Sequence, residues 1–121
     1  MNFIKRFSLA TVICLLLLTV VSCGGVSESY ANKINDAAEA KEYIEYEDVC
    51  KKIGEKNLID FTAEVLTVRG GVVIGVKGCN TWDEIEDKID EGKTIKGLYV
   101  VIANGKAVSA EYREITTKDK Q

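Results

Sequence analysis

The sequence predicts an α+β fold in which two amino-terminal helices pack on a four-stranded antiparallel sheet of two hairpins, with a short helix inserted between the hairpins. Three observations support this prediction. Helix-forming residues with helical apolar spacing precede Asn57, an alternation of period two follows it, and glycine-containing turn signals interrupt the later part. A chain of 121 residues accommodates one small domain and a targeting segment.

Two helices are predicted first. The segment Ala31–Tyr43 is rich in Ala, Glu and Lys, which are good helix formers. The segment Glu45–Ile53 carries one apolar stripe at helical spacing, and Gly54 is well placed to end that helix.

Two hairpins and one more helix are predicted for the rest. Gly70-Gly71 lies between β-rich runs and predicts the turn of the first hairpin, and Asn104-Gly105 predicts the turn of the second. Between the hairpins, Thr81–Glu91 begins with a capping box, in which Glu84 follows Thr81 by three positions, and predicts the inserted helix.

Residues 1–22 have the pattern of an export signal. Lys5 and Arg6 precede the apolar run Phe7–Val21, which is shorter than the roughly 20 residues that a spanning helix needs. The end of the run, Val20-Val21-Ser22-Cys23, resembles the bacterial lipoprotein signal. This resemblance implies cleavage before Cys23 and a diacylglyceryl group on its sulfur, so that the chain is held on a lipid bilayer.

The same resemblance divides the chain. Residues 23–29 are predicted to be a flexible lipidated tether and residues 30–121 a single domain. Because Gly24 and not Asp follows the lipidated Cys, the resemblance implies the outer membrane of the cell envelope and not the inner membrane.

Two cysteines besides Cys23 remain in the exported part. Thiols in an oxidising compartment tend to pair, which predicts a disulfide between Cys50 and Cys79. The alternative is that both are free, since Cys50 lies on an apolar helix stripe where a small core residue is common.

The composition argues against several function classes. There is no His, the commonest general base and metal ligand, and the net charge of −3 does not favour nucleic acid. The acidic inserted helix lacks the ligand spacing of a calcium loop, so no metal and no cofactor are predicted. No nucleophile is placed beside a base, and the sequence predicts a protein that is not an enzyme.

Two patches of sequence resemble a known group of proteins. Glu45–Glu55 and the stretch Leu98–Val108, with its Asn-Gly-Lys turn, resemble the second helix and the closing hairpin of the β-lactamase-inhibitor-protein-like (BLIP-like) lipoproteins, which include the SmpA/OmlA outer-membrane assembly lipoproteins. The resemblance implies a protein-binding scaffold with an envelope protein as partner. The insertion Cys79–Gly97 departs from that pattern.

The predicted sheet has two apolar faces. We expect the first to lie under the two amino-terminal helices; it comprises Phe61, Ala63, Val65, Ile74, Val76, Tyr99, Val101, Val108, Ala110 and Tyr112. The second is a candidate partner surface, since a solvated face should be polar. Its members are Leu66, Val68, Val73, Leu98, Val100 and Ile102. The alternative is that the inserted helix covers this second face with Trp82, Ile85 and Ile89.

Three functions remain open from the sequence. The first is a membrane-anchored envelope lipoprotein that acts as a protein-binding scaffold. The second is a small barrel of the OB type that binds an oligosaccharide or another small ligand, and the third is a surface lipoprotein with no ligand.

Overall fold

The computed structural model describes residues 25–116. The helices are α1 (Glu28–Glu39), α2 (Tyr46–Ile53) and α3 (Trp82–Asp90), with a short 3₁₀ turn at Glu55–Asn57. The strands are β1 (Ile44–Glu45), β2 (Leu58–Asp60), β3 (Ala63–Val65), β4 (Val68–Gly75), β5 (Lys96–Ala103) and β6 (Lys106–Glu114).

All strand pairs are antiparallel and form one open sheet in the order β1-β6-β5-β4-β2, with β3 also paired to β4. The α+β class is therefore confirmed, but the sheet has six strands and not the four that the sequence predicted. Within residues 25–116, β1 and β2 are edge strands that do not pair with each other. The sheet is consequently not closed as an OB-type barrel requires.

Helices cover both faces of the sheet. The face under α1 and α2 forms one core with Val73, Leu98, Val100 and Ile102 of the central strands. The opposite face forms a second core under α3, in which the central strands contribute Ile74 and Val76. The two-sided apolar pattern of the strands thus reflects a three-layer arrangement of helices, sheet and helix.

The predicted assignment of these faces was wrong. Val73, Leu98, Val100 and Ile102 were expected on the partner surface, but α1 and α2 bury them. The alternative was also wrong, since α3 packs Trp82 and Ile85 against the other face. Alternation shows which residues share a face of a sheet, but it does not show which helix covers that face.

The amino-terminal helix begins earlier than predicted. Ser27 caps α1 by accepting a hydrogen bond from the Tyr30 backbone N–H at 3.2 Å, and Val26 is buried in the core below. The backbone of Gly25 packs directly on the last turn of α2, since a Cβ there would lie 2.1 Å from the Lys52 carbonyl oxygen. Residues 25–29 are therefore part of the domain, and the predicted tether over 23–29 was wrong for them.

The same helix also ends earlier than predicted, at Glu39. Lys41 adopts a positive φ of 61°, and the Lys41 and Glu42 N–H groups bond back to the Ala38 and Ala37 carbonyls. This is a Schellman motif formed without its usual glycine, which is why no turn residue in the sequence marks the end of the helix.

One predicted hairpin turn is confirmed and the other was wrong. Asn104 and Gly105 form a two-residue turn with positive φ at both positions. The first hairpin turns at Leu66-Thr67, while Gly70-Gly71 lies inside β4. There Gly71, with φ of 136°, allows β4 to pass close to Phe61 at the junction between β2 and β3.

Two further sequence signals are confirmed. α2 ends at Gly54, which has a positive φ of 92°. α3 begins with the predicted capping box of Thr81 and Glu84, and it ends just before Gly92.

One side chain caps the open edge of β6 at Ala110. Asn35 of α1 donates a hydrogen bond to the Ala110 carbonyl and accepts one from the Ala110 N–H, both at 2.9 Å. Its amide therefore satisfies the two backbone groups that a neighbouring strand would bond.

Candidate functional site

The most exposed apolar segment of the described residues is the turn between β3 and β4. We call Val65, Leu66, Thr67 and Val68 the tip. Leu66 is 89% exposed and Val65 is 66% exposed, and Val68 is also exposed. A cluster of large apolar side chains in solvent is typical of a surface that contacts a partner.

The backbone of the tip is strained. Leu66 and Thr67 have positive φ angles of 52° and 66°, a conformation that Asn and Gly adopt readily and that a β-branched residue such as Thr rarely adopts. The hairpin between β5 and β6 also has positive φ angles at its two turn residues, but there they are Asn104 and Gly105. The chain therefore keeps an apolar side chain at Leu66 where a more stable turn sequence exists, and strain of this kind is concentrated at functional sites.

A polar network holds the base of the tip; it consists of Tyr46, Asp60, Thr62 and Arg69. Tyr46 of α2 donates a short hydrogen bond to Asp60, and the Thr62 hydroxyl donates to the same carboxylate at 2.6 Å. Arg69 donates to the Thr62 hydroxyl at 2.7 Å, and its guanidinium lies 4.8 Å from the centre of the Tyr46 ring. The network links α2 to β4 and so fixes the direction in which the tip points.

Burial and the hydrogen bond to Asp60 raise the pKa of Tyr46 to about 12. Burial alone would raise the pKa of Asp60, but hydrogen bonds from Thr62 and Tyr46, together with the charge of Arg69, lower it below its usual value. Asp60 is thus an anion and Tyr46 a neutral donor at neutral pH. Both oxygens of Asp60 accept hydrogen bonds inside the network, so the carboxylate ties α2 to the segment around Thr62.

The depressed pKa of Asp60 predicts a pH dependence of stability. Because the folded pKa lies below the unfolded value, the carboxylate stabilises the fold above about pH 4, and this contribution is lost as pH falls through the folded pKa. We expect Asp60→Asn to lower the urea midpoint at pH 7 and to flatten its dependence between about pH 2 and 5. Glu64→Gln is the control, and an equal flattening in that variant would contradict the assignment.

A cleft of about 410 Å³ lies beside the tip. It separates the two hairpin turns and is lined by Thr67 and Val68 on one side and by Asn104 and Gly105 on the other; Glu47 also lines it. The second turn is fixed in place because the Gly105 N–H bonds the Arg69 carbonyl at 2.9 Å. The tip and the cleft together form one candidate contact surface at one end of the sheet.

The two predicted disulfide partners are both free thiols. Cys50 lies on α2, on one side of the sheet, whereas Cys79 is buried in the core under α3 on the other side. The sheet therefore separates them, and the predicted disulfide was wrong. Burial raises the pKa of both thiols, so that neither has the character of a reactive thiolate.

Of the six residues predicted as a partner surface, the structure leaves Leu66 and Val68 exposed and buries the other four. The predicted lipidation site Cys23 and the signal over 1–22 lie outside the described residues. In the described range, no helix has the length and apolar content to cross a membrane.

Comparison with known proteins gives no match: no protein-family model fits the chain, no curated protein is similar to it and no solved structure matches it. The basis for a function is therefore the geometry of the tip and the amino-terminal sequence.

Sequence reasoning missed the polar network and the exposure of Val65, which was expected in the core. The network comes from three separate places in the chain: Asp60 and Thr62 are two residues apart, but no spacing links them to Tyr46 or Arg69. The sequence did contain one signal for the tip: residues 63–70 are equally compatible with two short strands joined by a turn at Leu66-Thr67.

Proposed function

We propose that this chain is an exported lipoprotein, anchored to the cell envelope through acylated Cys23, that works as a non-enzymatic scaffold and binds a protein partner through the tip. The anchor is supported by the signal pattern that ends at Cys23, and Gly24 favours the outer membrane over the inner membrane. The resemblance to BLIP-like lipoproteins supports the same class of function. The observation that carries the binding role is Leu66, 89% exposed in a strained turn.

The position of the tip also supports this function. A Cβ at Gly75, the last residue of β4, would lie 3.1 Å from the Val26 side chain, whereas the tip lies at the first residue of that strand. The eight residues of β4 span about 23 Å at a rise of about 3.3 Å each. The tip therefore projects away from the end of the domain at which the amino-terminal chain enters.

The double substitution Leu66→Asn with Thr67→Gly tests the binding role. It installs the sequence that the second hairpin already uses, so we expect the fold to gain about 1 kcal/mol while the apolar contact is lost. A photo-crosslinking residue at Val65 of the full chain, in native membranes, should give an adduct of discrete mass. We expect about tenfold less adduct in the double variant, since a buried apolar anchor commonly contributes at least that factor.

The control position is Asp87, an exposed residue of α3 on the other side of the molecule. A crosslinker there should give no such adduct. An adduct yield that is unchanged by the double substitution would contradict the tip as the contact. The absence of any adduct at Val65 would favour a surface lipoprotein with no protein ligand.

A further inference from the structure

The end of the domain opposite the tip carries a group of basic residues. We define the lysine cluster as Lys51, Lys52, Lys56 and Lys77. The first two lie in the last turn of α2 and the third in the turn that follows it. The fourth lies just beyond β4, where Asn57 accepts hydrogen bonds from the Val76 and Gly78 N–H groups at 2.8 Å. The backbone that carries Lys77 is therefore bonded to Asn57, next to Lys56 and just beyond the end of α2.

The amino-terminal chain enters the domain at this same place. Gly25 packs against the Lys52 carbonyl, and Val26 contacts Ile53 and Gly75 in the core. Three peptide units join Cys23 to Val26, and such a segment spans at most about 11 Å. An acyl group on Cys23 consequently holds the lysine cluster within about one headgroup layer of the bilayer.

The charge distribution fits a negatively charged surface at this end. Lys51, Lys56 and Lys77 are exposed and Lys52 is half-buried. The segments that meet here, residues 25–29, 51–57 and 76–78, carry these four lysines and two carboxylates, Glu28 and Glu55, although the whole chain carries a net charge of −3. The opposite end carries Glu42, Glu45, Glu47 and Glu64 against Lys41, Arg69 and Lys106, and two of these carboxylates are paired with Arg69 and Lys106. An anionic bilayer therefore attracts the first end more strongly than the second.

We infer that the lysine cluster is a membrane-docking surface that binds anionic phospholipid headgroups and holds the domain upright, with the tip directed away from the bilayer. This inference rests on the proposed lipid anchor. It assigns the anchor end a second contact with the membrane, since the acyl chains give attachment and the lysines give orientation. Because the chain is part of the folded domain from Gly25 onward, a contact at the lysine cluster sets the orientation of the whole domain.

The test uses the full acylated chain, purified from membranes and reconstituted into vesicles of phosphatidylcholine with or without phosphatidylglycerol. Lysines are acetylated for a short time with a water-soluble reagent, and the rate at each position is read by mass spectrometry. We expect labelling of Lys51, Lys56 and Lys77 to be about fivefold slower in the anionic vesicles and to recover in high salt. Lys41 and Lys106, at the opposite end, are the internal controls and should not change.

Two variants sharpen the test. In Lys56→Gln with Lys77→Gln, the protection of Lys51 should fall, whereas Lys33→Gln with Lys41→Gln should leave it unchanged. Equal labelling of all lysines in both kinds of vesicle would overturn the inference and leave the anchor intact. An intact mass without acyl groups, measured before reconstitution, would refute the anchor itself, and the inference would fall with it.

Discussion

Replacing Val100 with Asp is expected to unfold the domain. Val100 is 0% exposed, in the core between the sheet and α1 and α2, and it packs there among apolar side chains. A buried carboxylate with no partner costs about 4 kcal/mol or more, which is most of the stability of a small domain. Urea unfolding followed by the fluorescence of Trp82, the one tryptophan, gives the free energy of unfolding.

The matched control is the next residue along the strand. Val101 is 40% exposed on the other face, so Val101→Asp should cost less than about 1 kcal/mol. The pair also tests the assignment of the two faces, because the sequence alone placed Val100 outside and Val101 inside. Equal losses of stability in the two variants would contradict the arrangement of the helices on the sheet.

Gly71→Ala is expected to cost about 3 kcal/mol or more. Gly71 has a φ of 136°, which side chains rarely tolerate, and a Cβ there would lie 2.7 Å from the Phe61 carbonyl oxygen and 2.8 Å from the Thr62 Cα. Both contacts are with backbone, so relief requires the junction between β2 and β3 to move. The same urea titration measures the loss.

Gly70→Ala provides the comparison at the preceding position. Its Cβ would meet nothing closer than the Ile102 carbonyl oxygen at 3.5 Å, so we expect a change within about 1 kcal/mol. Because Asp60 and Thr62 flank the junction, Gly71→Ala should also reduce the pH dependence that Asp60 confers. A Gly71→Ala protein as stable as wild type would contradict the close approach of the two strands.

Local sequence signals predicted the structure correctly where a single residue type meets a single backbone requirement. The turn at Asn104-Gly105 and the capping box at Thr81 belong to this class, and both are confirmed. The turn at Leu66-Thr67 was missed because its residues are poor turn formers, and the Gly70-Gly71 pair two positions later gave a stronger signal. A strained site is by nature one at which propensity and structure disagree.

The sheet register shows a second limit. A bulge between Val101 and Ile102 shifts the pairing of β5 with β6 by one residue, so that Ala110 and Tyr112 join the face of Leu98 and not that of Tyr99. A shift of one residue reverses every side chain beyond it, and nothing in the sequence marks the bulge. The candidate site was predictable only in part, since it depends on which faces the helices cover.

The proposed lipid anchor places copies of the protein in one bilayer, and there the hydrogen bonds between Asn35 and Ala110 have a consequence. Confinement to two dimensions raises the local concentration of neighbouring copies, and a bare strand at their flanks would offer a template for intermolecular β-pairing. Since the Asn35 amide already occupies both backbone groups of Ala110, that flank gives an adjacent copy no backbone partner at its centre. With the proposed anchor, this cap therefore disfavours pairing between copies through the middle of β6.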